Sequence, residues 1–502
     1  MRKSKVIFIK NALVLTVTGL IIRFIGMFFR IWLAGAVGAE GIGLYSQIFS
    51  FYVLASAFAS TGINTTVTRL VSEELARGNS GGALKALFRC IGVSLTVAAA
   101  SMAAIYLGAD HIAKFFIGDV RSASALKILT ASLPFMAVSS CVKGYFIARK
   151  KTSPSSVSQI FEQGVRIGII AALLGRGANL GIEASCRSII IGDCIAEGCS
   201  CAYVWLCFIF DKKRLPKKAE PLGYSVLSQL RHIALPITVG RYLNSMLRTV
   251  ENVLVPRKLE AFGMSGSDAL SIFGIIKGMA LPLLFFPASF LNAMSTLLIP
   301  EMSEAIASGK KHKVKYTAEK SIHITLVSSL PIAVVFFFAA EPISMLVYSD
   351  AQVGGIVRML APIVPLMYLD SVCDGLLKGL DEQFSVFRNA MLDSLGRLGL
   401  IIIILPRYSV AGFVGIMYLS NAFTCLMNLF RLKKVSGAKV KWYKWLFLPL
   451  VFSLLMGNII SLITKPLAVY KLLYTCVFSI IMAVSYIVFV VKFKCLTIDD
   501  LR

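Results

Sequence analysis

The stretch LLYTCVFSIIMAVSYIVFVV, Leu472–Val491, is a run of 20 residues without a charged side chain. About 20 apolar residues in a helix cross the roughly 30 Å hydrocarbon core of a bilayer. Other long apolar stretches include Ile7–Ile22, Cys90–Leu107, Ile322–Ala340 and Leu446–Ile463. The chain is 57% hydrophobic and only 16% charged, against about 25% charged in soluble domains. The composition therefore indicates a membrane protein.

The formal net charge of +26 would suggest a nucleic-acid partner in a soluble protein. Here the basic residues stand in short clusters between apolar stretches, as topology signals do. Basic segments with stacking aromatic residues are missing, so we expect no nucleic-acid partner. The eleven cysteines lack the paired spacing of a metal site. Motifs for nucleotide hydrolysis or nucleophilic catalysis are also missing, so we expect neither an enzyme nor a metal or other cofactor.

Hydropathy windows of about 19 residues predict fourteen membrane spans. They lie near residues 8–37, 44–68, 88–108, 124–147, 154–175, 179–210, 228–256, 268–299, 318–340, 355–377, 386–405, 409–430, 445–464 and 470–491. The termini and alternate loops hold roughly 32 basic residues and the opposite loops roughly 8. We therefore predict a multi-pass protein of the cytoplasmic membrane with both termini in the cytoplasm.

An internal repeat appears when the chain is compared with itself 231 residues further on. Its matches fall on Ser, Glu, Gly, Pro and Arg positions: Ser72-Glu73-x-x-Ala76-x-Gly78 with Ser303-Glu304-x-x-Ala307-x-Gly309, Pro134-x-Met136 with Pro365-x-Met367, and Arg166-x-Gly168 with Arg397-x-Gly399. The offset covers six spans, so both halves enter the membrane in the same direction. We predict an all-α protein with six-helix lobes at 1–210 and 228–431, a cytoplasmic linker at 211–227, and a second linker with two extra helices at 432–502. Facing bundles would enclose a central cleft, as in transporters.

Charged residues within predicted spans are the candidates for a binding site, because they usually face a cavity or a partner. Arg23 and Arg30 share one face of the first span, and two guanidinium groups in a row suit a pyrophosphate. The seventh span carries a similar stripe of Arg241, Arg248 and Glu251. Lys277, in the eighth span, is a further candidate for substrate binding. A purely structural role is the alternative for each of these residues.

Acidic residues within spans suggest ion coupling or buried pairs. Asp193 and Glu197 are one helical turn apart, with no basic residue on their face of the helix other than Arg187, and Asp370 and Asp374 are similar. Glu162 and Arg166 have the favourable i,i+4 spacing, and the repeat reproduces them as Asp393 and Arg397. We interpret the repeated pair as architectural, with a proton or ion relay as the alternative.

Several segments carry a family resemblance. They are Arg23-Phe-Ile-Gly26, Gly38-Ala-Glu-Gly-Ile-Gly-Leu-Tyr45, Thr68-Arg-Leu-Val-Ser-Glu73 and Ser158–Ile167 in the first half, and Gly278–Pro287 and Leu298–Ala305 in the second. With them the chain resembles the multidrug/oligosaccharidyl-lipid/polysaccharide exporter (MOP) superfamily. Within that superfamily it is similar to the stage V sporulation protein B-like polysaccharide flippases, which are related to lipid II flippases.

The resemblance implies a V-shaped fold with fourteen helices and a flippase that moves polyprenyl-pyrophosphate-linked saccharides without hydrolysing nucleotide. It also implies a cationic cavity, in which Arg23 and Arg30 correspond to two arginines of the first helix and Lys277 to one of the eighth. The expected partners are the lipid-linked saccharide, membrane lipids and a cell-wall polymerase or glycosyltransferase. It further suggests a peptidoglycan precursor and a role in sporulation.

Two alternatives remain open from the sequence. A cation-coupled multidrug exporter of the same superfamily would use acidic residues in its cleft. A non-transporting membrane partner of a cell-wall polymerase would depend on its cytoplasmic loops instead.

Overall fold

The computed structural model is built of helices throughout the part of the chain that it describes. It describes the backbone of residues 2–175, 181–213, 225–230, 234–289, 302–306 and 308–493, together with residues 291 and 298. Because a bilayer offers no water to backbone groups, helices that satisfy their own N–H and C=O groups are the expected solution. The fold class is that of an all-α polytopic membrane protein.

The helices of the first part of the chain include several that are longer than a bilayer is thick. In chain order, all helices of this part are α1 (Arg2–Ala76), α2 (Ser80–His111) with a π-helical extension (Ile112–Ile117), α3 (Ser122–Leu129), α4 (Ser132–Ala148), α5 (Ser153–Gly175), α6 (Ile182–Lys212), α7 (Val226–Gln229) and α8 (Leu235–Ala261).

The helices of the second part follow a similar plan. They are α9 (Gly266–Gly274), a π-helical turn (Ile275–Ala280), α10 (Leu281–Phe285), α11 (Lys311–Phe338), α12 (Ala340–Tyr348), α13 (Ala351–Leu360), a 3₁₀ turn (Ala361–Ile363), α14 (Val364–Gly379), α15 (Gln383–Ser436), a π-helical turn (Tyr443–Phe447), α16 (Leu448–Thr464), a 3₁₀ turn (Lys465–Val469) and α17 (Lys471–Lys492).

Eleven helical segments of the described chain are long and apolar enough to cross a membrane. Two of them, Val17–Ala76 and Gln383–Ser436, each cover two predicted spans. Non-helical residues separate the two spans: Gly38 has φ 71° and Ser409 has φ 49°. Glycine adopts a positive φ at no steric cost, whereas serine does so at some cost in strain. The predicted seventh span falls in α8, which is not among the eleven, and the eighth ends outside the described residues, so the count of fourteen stays a prediction.

The chain divides into two compact units. Unit 1 comprises Met1–Phe29 and Ala36–Arg257, and unit 2 comprises Arg30–Gly35 and Lys258–Arg502. The contacts group most of α8 with unit 1, whereas the sequence assigns this helix to the second lobe; the lobe boundary at 211–227 stays a prediction. Hydrogen bonds explain the grouping, because Thr249 Oγ1 and Asn252 Nδ2 both donate to Ser50 of α1, over 3.1 and 2.7 Å.

Small and polar residues bring helices close together within unit 1. Asn64 Nδ2 of α1 donates to the Ser140 carbonyl of α4 over 2.8 Å, and Thr68 Oγ1 donates to the Gly144 carbonyl over 3.1 Å. Such bonds between helices can form because small residues let the backbones approach. Gly192 of α6 has the same role against α5, because a Cβ atom there would lie 2.3 Å from Ile170 Cγ1. The close contact of α5 with α6 lets charged side chains of the two helices meet.

Candidate functional site

Arg166 lies at the centre of a buried charged cluster in unit 1. Its Nη2 atom donates to Glu162 Oε1 over 2.9 Å, which confirms the pair predicted from the i,i+4 spacing. Asp193 Oδ1 of α6 lies 2.8 Å from Arg166 Nε. Two carboxylates from neighbouring helices thus neutralise one guanidinium group. The arrangement offsets the cost of placing charges inside a membrane-spanning bundle.

Polar side chains of two further helices complete this cluster. Tyr45 of α1 donates its hydroxyl to Asp193 Oδ2 over 3.2 Å. Lys143 Nζ of α4 lies 3.8 Å from Glu162 Oε2. Gln163 accepts a hydrogen bond from Arg166 Nη1 over 2.8 Å. The cluster therefore connects α1, α4, α5 and α6.

The sequence gives Asp193 no basic neighbour on its own helix other than Arg187, and the structure supplies a partner from another helix. Arg187 is exposed, whereas Asp193 is buried and pairs with Arg166. Periodicity along α6 cannot reveal this contact, because it depends on which helix packs beside α6.

Glu197 is a buried acidic residue in the same region of unit 1. It is 5% exposed and lies one helical turn after Asp193. No ion pair joins its carboxylate to any residue in the described part of the chain. The same region of unit 1 thus holds three carboxylates and only two cations, Arg166 and Lys143. The carboxylates are those of Glu162, Asp193 and Glu197. A carboxylate in that setting is suited to take up a proton or a cation.

Unit 2 carries a polar cluster on the corresponding helices of the repeat. Arg397 Nη2 donates to Asp393 Oδ2 over 2.8 Å, which confirms the second predicted pair. Ser420 Oγ also donates to Asp393, over 2.6 Å. Asp370 accepts from Asn428 Nδ2 over 2.9 Å, and Asn428 in turn accepts from Asn389 over 2.9 Å. Amides take the place of cations around Asp370.

Asp374 differs from Asp370 because it has a basic partner on its own helix. Lys378 Nζ lies 2.6 Å from Asp374 Oδ2, at i,i+4 spacing. The sequence could have predicted this pair, because the two residues are four positions apart in α14. The structure therefore separates the predicted candidates for ion coupling into paired residues, Asp193 and Asp374, and residues without an ion pair among the described residues, Glu197 and Asp370.

The arginines predicted to bind substrate have exposed side chains. Arg23 and Arg30 are exposed on α1, although contacts assign Arg23 to unit 1 and Arg30 to unit 2. Arg241 and Arg248 are exposed on α8. Gly26, on the same side of α1 as Arg23, faces the charged cluster, because a Cβ atom there would lie 3.9 Å from Gln163 Nε2. Arginines that are exposed on these two helices are available to a ligand.

The shared stripe predicted for α8 does not extend to Glu251. This residue is 4% exposed, whereas Arg241 and Arg248 are exposed. The turn that contains Glu251 packs on α1 through Thr249 and Asn252, and this contact buries the turn. Lys277 of unit 2 is half-buried in the π-helical turn after α9.

Two ionic clusters were not anticipated from the sequence. Asp211, at the end of α6, accepts from Tyr145 Oη over 2.8 Å and from Lys151 Nζ over 2.6 Å. Arg121 binds Asp119 through two nitrogens and also contacts Glu40, 2.8 Å away. The short spacing between Asp119 and Arg121 is a signal that could have indicated the second cluster. The Asp211 contacts join residues about sixty positions apart and leave no local signal.

Comparison with known proteins gives matches along nearly the whole chain. The model of the family described as "Polysaccharide biosynthesis protein" matches residues 8–306, and the MatE family model matches residues 236–391. Stage V sporulation protein B of Bacillus subtilis (strain 168) is 26% identical over 411 residues, which cover 81% of this chain and 79% of the relative. Lipid II flippase MurJ of the same organism is 22% identical over 488 residues, covering 91% and 88%.

A solved structure supports the fold. The lipid II flippase MurJ in an inward closed conformation superposes with a TM-score of 0.68 at 15% identity, covering 93% of this chain and 97% of that one. The chain is therefore a multi-pass membrane protein of the polysaccharide biosynthesis protein family.

Proposed function

We propose that the chain is a flippase that moves a polyprenyl-pyrophosphate-linked saccharide across the cytoplasmic membrane by alternating access. The observation that carries this proposal is the exposure of four arginines on predicted membrane spans: Arg23, Arg30, Arg241 and Arg248. None of the four forms an ion pair with any residue that the structure describes. A charge within a bilayer costs a few kcal/mol unless it meets water, a partner or a ligand. Guanidinium groups bind phosphate oxygens in a two-pronged geometry, so a pyrophosphate is the ligand that suits them.

The relatives support a saccharide precursor as the transported molecule. The family is described by polysaccharide biosynthesis, and one relative is named as a lipid II flippase. We therefore propose a lipid-linked peptidoglycan precursor as the first substrate to test. The match to stage V sporulation protein B supports testing this function during spore formation. Entry of the head group from the cytoplasm, with both termini on that side, belongs to the same proposal.

Reconstitution with a fluorescent lipid-linked saccharide tests this function. We expect Arg23→Gln and Arg241→Gln to lose most of the flipping activity, since each removes a phosphate-binding group without disturbing a described contact. Arg69→Gln is the matched control, because Arg69 is exposed on the same long helix but pairs with Glu73 over 2.8 Å. Unchanged flipping by both variants, with every tested saccharide, would refute the cationic site.

The same vesicles distinguish the alternatives. Transport of a cationic dye without transport of the lipid-linked saccharide would favour the multidrug exporter, which the MatE match also supports. Absence of both activities, together with a requirement for residues 432–444 in binding a cell-wall polymerase or glycosyltransferase, would favour the non-transporting partner.

We further propose that Glu197 and Asp370 couple transport to a cation. Both lie in membrane spans and lack an ion pair among the described residues, whereas Asp193 and Asp374 have basic partners. We expect Glu197→Gln or Asp370→Asn to make flipping insensitive to an imposed proton or sodium gradient. Asp374→Asn is the matched control for Asp370→Asn. A full response to both gradients in both variants would contradict this assignment.

A further inference from the structure

A groove lies on the surface of unit 1, and none of the exposed arginines assigned to the substrate is among its lining residues. Its volume is about 390 Å³, within the range of about 300–1,000 Å³ that is typical of ligand sites. One wall is a face of α2 formed by Arg89, Gly92, Val93 and Thr96, and the other is the segment 225–227 at the start of α7. The α2 face extends for roughly 10 Å along the helix axis.

One end of this groove is cationic. Arg89 is exposed and forms no hydrogen bond or ion pair with any residue in the described ranges. Lys85 is exposed one turn earlier on α2. Lys212 lies beside the same turn, with its Nζ atom 5.3 Å from the centroid of the Phe88 ring. Arg89 is therefore the cation that lines the groove, with two lysines near the same part of α2, and none of the groove-lining residues is a carboxylate.

The other end of the groove is apolar and unfilled. Gly92 is exposed, and a Cβ atom built on it meets no other atom within 4 Å. Val93 and Leu227 provide aliphatic surface, and Leu227 is 51% exposed. A ligand for this groove must therefore combine an anionic group with a hydrocarbon chain.

We propose that this groove binds an anionic phospholipid, with its phosphodiester at Arg89 and its acyl chain along Gly92, Val93 and Leu227. The charge of Arg89 and the absence of a carboxylate among the lining residues favour a phospholipid with a net negative charge over a zwitterionic one. Basic pockets between membrane helices bind anionic lipids in this way. A free phosphate or a soluble nucleotide would leave the apolar part of the groove empty.

Native mass spectrometry of the purified, delipidated full chain tests this site. Phosphatidylglycerol and phosphatidylcholine with identical acyl chains are added separately at equal concentrations. We expect preferential retention of phosphatidylglycerol, and a loss of about fivefold in its affinity in Arg89→Gln, equivalent to about 1 kcal/mol. Lys320→Gln is the matched control, since Lys320 stands 231 residues later in the repeat and its Nζ atom lies over Tyr316.

A second variant fills the groove instead of removing its charge. Gly92→Leu should reduce retention of phosphatidylglycerol without disturbing packing, because the added side chain enters open space. Gly415→Leu is its control, at another exposed glycine with open space around it. Should Gly92→Leu fail to fold, Arg89→Gln still decides the question, because it changes an exposed side chain.

Equal retention of the two lipids, or unchanged retention in Arg89→Gln, would overturn the proposal. Competition by free glycerol phosphate as effective as competition by phosphatidylglycerol would also overturn it, because the acyl chain would then contribute nothing. The outcome is independent of the flippase assignment, since lipid retention is measured without transport and Arg23→Gln leaves the groove intact.

Discussion

We expect Gly192→Ala to disturb the contact between α5 and α6, although it adds a single methyl group. The new Cβ atom would lie 2.3 Å from Ile170 Cγ1, whereas carbon atoms pack at about 3.5–4.0 Å. The two atoms must therefore separate by about 1.2–1.7 Å. Overpacking of this kind costs about 1–3 kcal/mol.

The same displacement acts on the charged cluster, because Asp193 follows Gly192 directly. If the helices move apart, the distance from Asp193 Oδ1 to Arg166 Nε, now 2.8 Å, would lengthen to about 4 Å, the limit of an ion pair. We therefore expect a lower melting temperature of the purified protein in detergent. Ile170→Ala should restore part of the loss in the Gly192→Ala background, because it removes the Cγ1 atom that clashes.

Gly198→Ala is the matched control on the same helix. A Cβ atom at position 198 would lie 3.9 Å from the Phe135 ring, an ordinary contact distance. Replacing glycine by alanine within a helix should then stabilise by about 0.5–1 kcal/mol. The two alanine substitutions should thus shift the melting temperature in opposite directions. A similar increase in both variants would refute the close approach of α5 and α6.

Three further substitutions test other contacts through the melting temperature. Hydrogen bonding to Arg431 holds the pKa of the Glu382 carboxyl below its usual range. The pair therefore stabilises the folded protein, by at most about 1 kcal/mol. This stabilisation is complete above about pH 4.3 and is lost as the pH falls through the lowered pKa. Glu382→Gln should remove that part of the pH dependence, and an unchanged acid slope would contradict the pair. Gly457→Val should cost about 1–3 kcal/mol, because a Cβ atom there would lie 2.5 Å from Val334 Cγ1; a neutral result would show that α16 does not pack so closely on α11. Arg121→Lys should cost about 1 kcal/mol or less, since the 39% exposed guanidinium holds two carboxylates, and 1 M salt should reduce the difference.

The sequence predicts interactions within one helix and does not predict those between helices. The pairs Glu162–Arg166 and Asp393–Arg397 follow from i,i+4 spacing, and the structure confirms both. The contact of Asp193 with Arg166 requires knowledge that α5 and α6 are neighbours. The same limit applies to Asp370, whose amide partner Asn428 lies 58 residues away.

The fold was more predictable than the site, because membrane spans are defined by composition over many residues. Apolar length alone indicates most of the helices, and the all-α architecture is confirmed. The hydropathy windows predict a division in each of the two longest helices, but the residue at the break is recognisable in only one of them. Gly38 marks the first break, since glycine favours a positive φ, whereas nothing in the identity of Ser409 indicates the second.

The repeat separates scaffold residues from candidates for function. An acidic residue and an arginine one turn later occur at equivalent positions of both units, and both pairs are formed, with distances of 2.9 and 2.8 Å. Because both halves contain this pair, a role in helix packing explains it better than a role in directional transport.

The residues around those pairs differ between the halves. Glu197 corresponds to Asn428 in the repeat, and Asp370 corresponds to Ser139. Among the four predicted candidates for ion coupling, each unit therefore keeps one carboxylate without an ion pair to the described residues, at a different position on the same scaffold. A bound cation shifts the balance between two conformations only by as much as its affinity for them differs. Glu197 and Asp370 lie at non-equivalent positions, so loss of the gradient response in only one of the variants Glu197→Gln and Asp370→Asn would identify the unit that binds the cation.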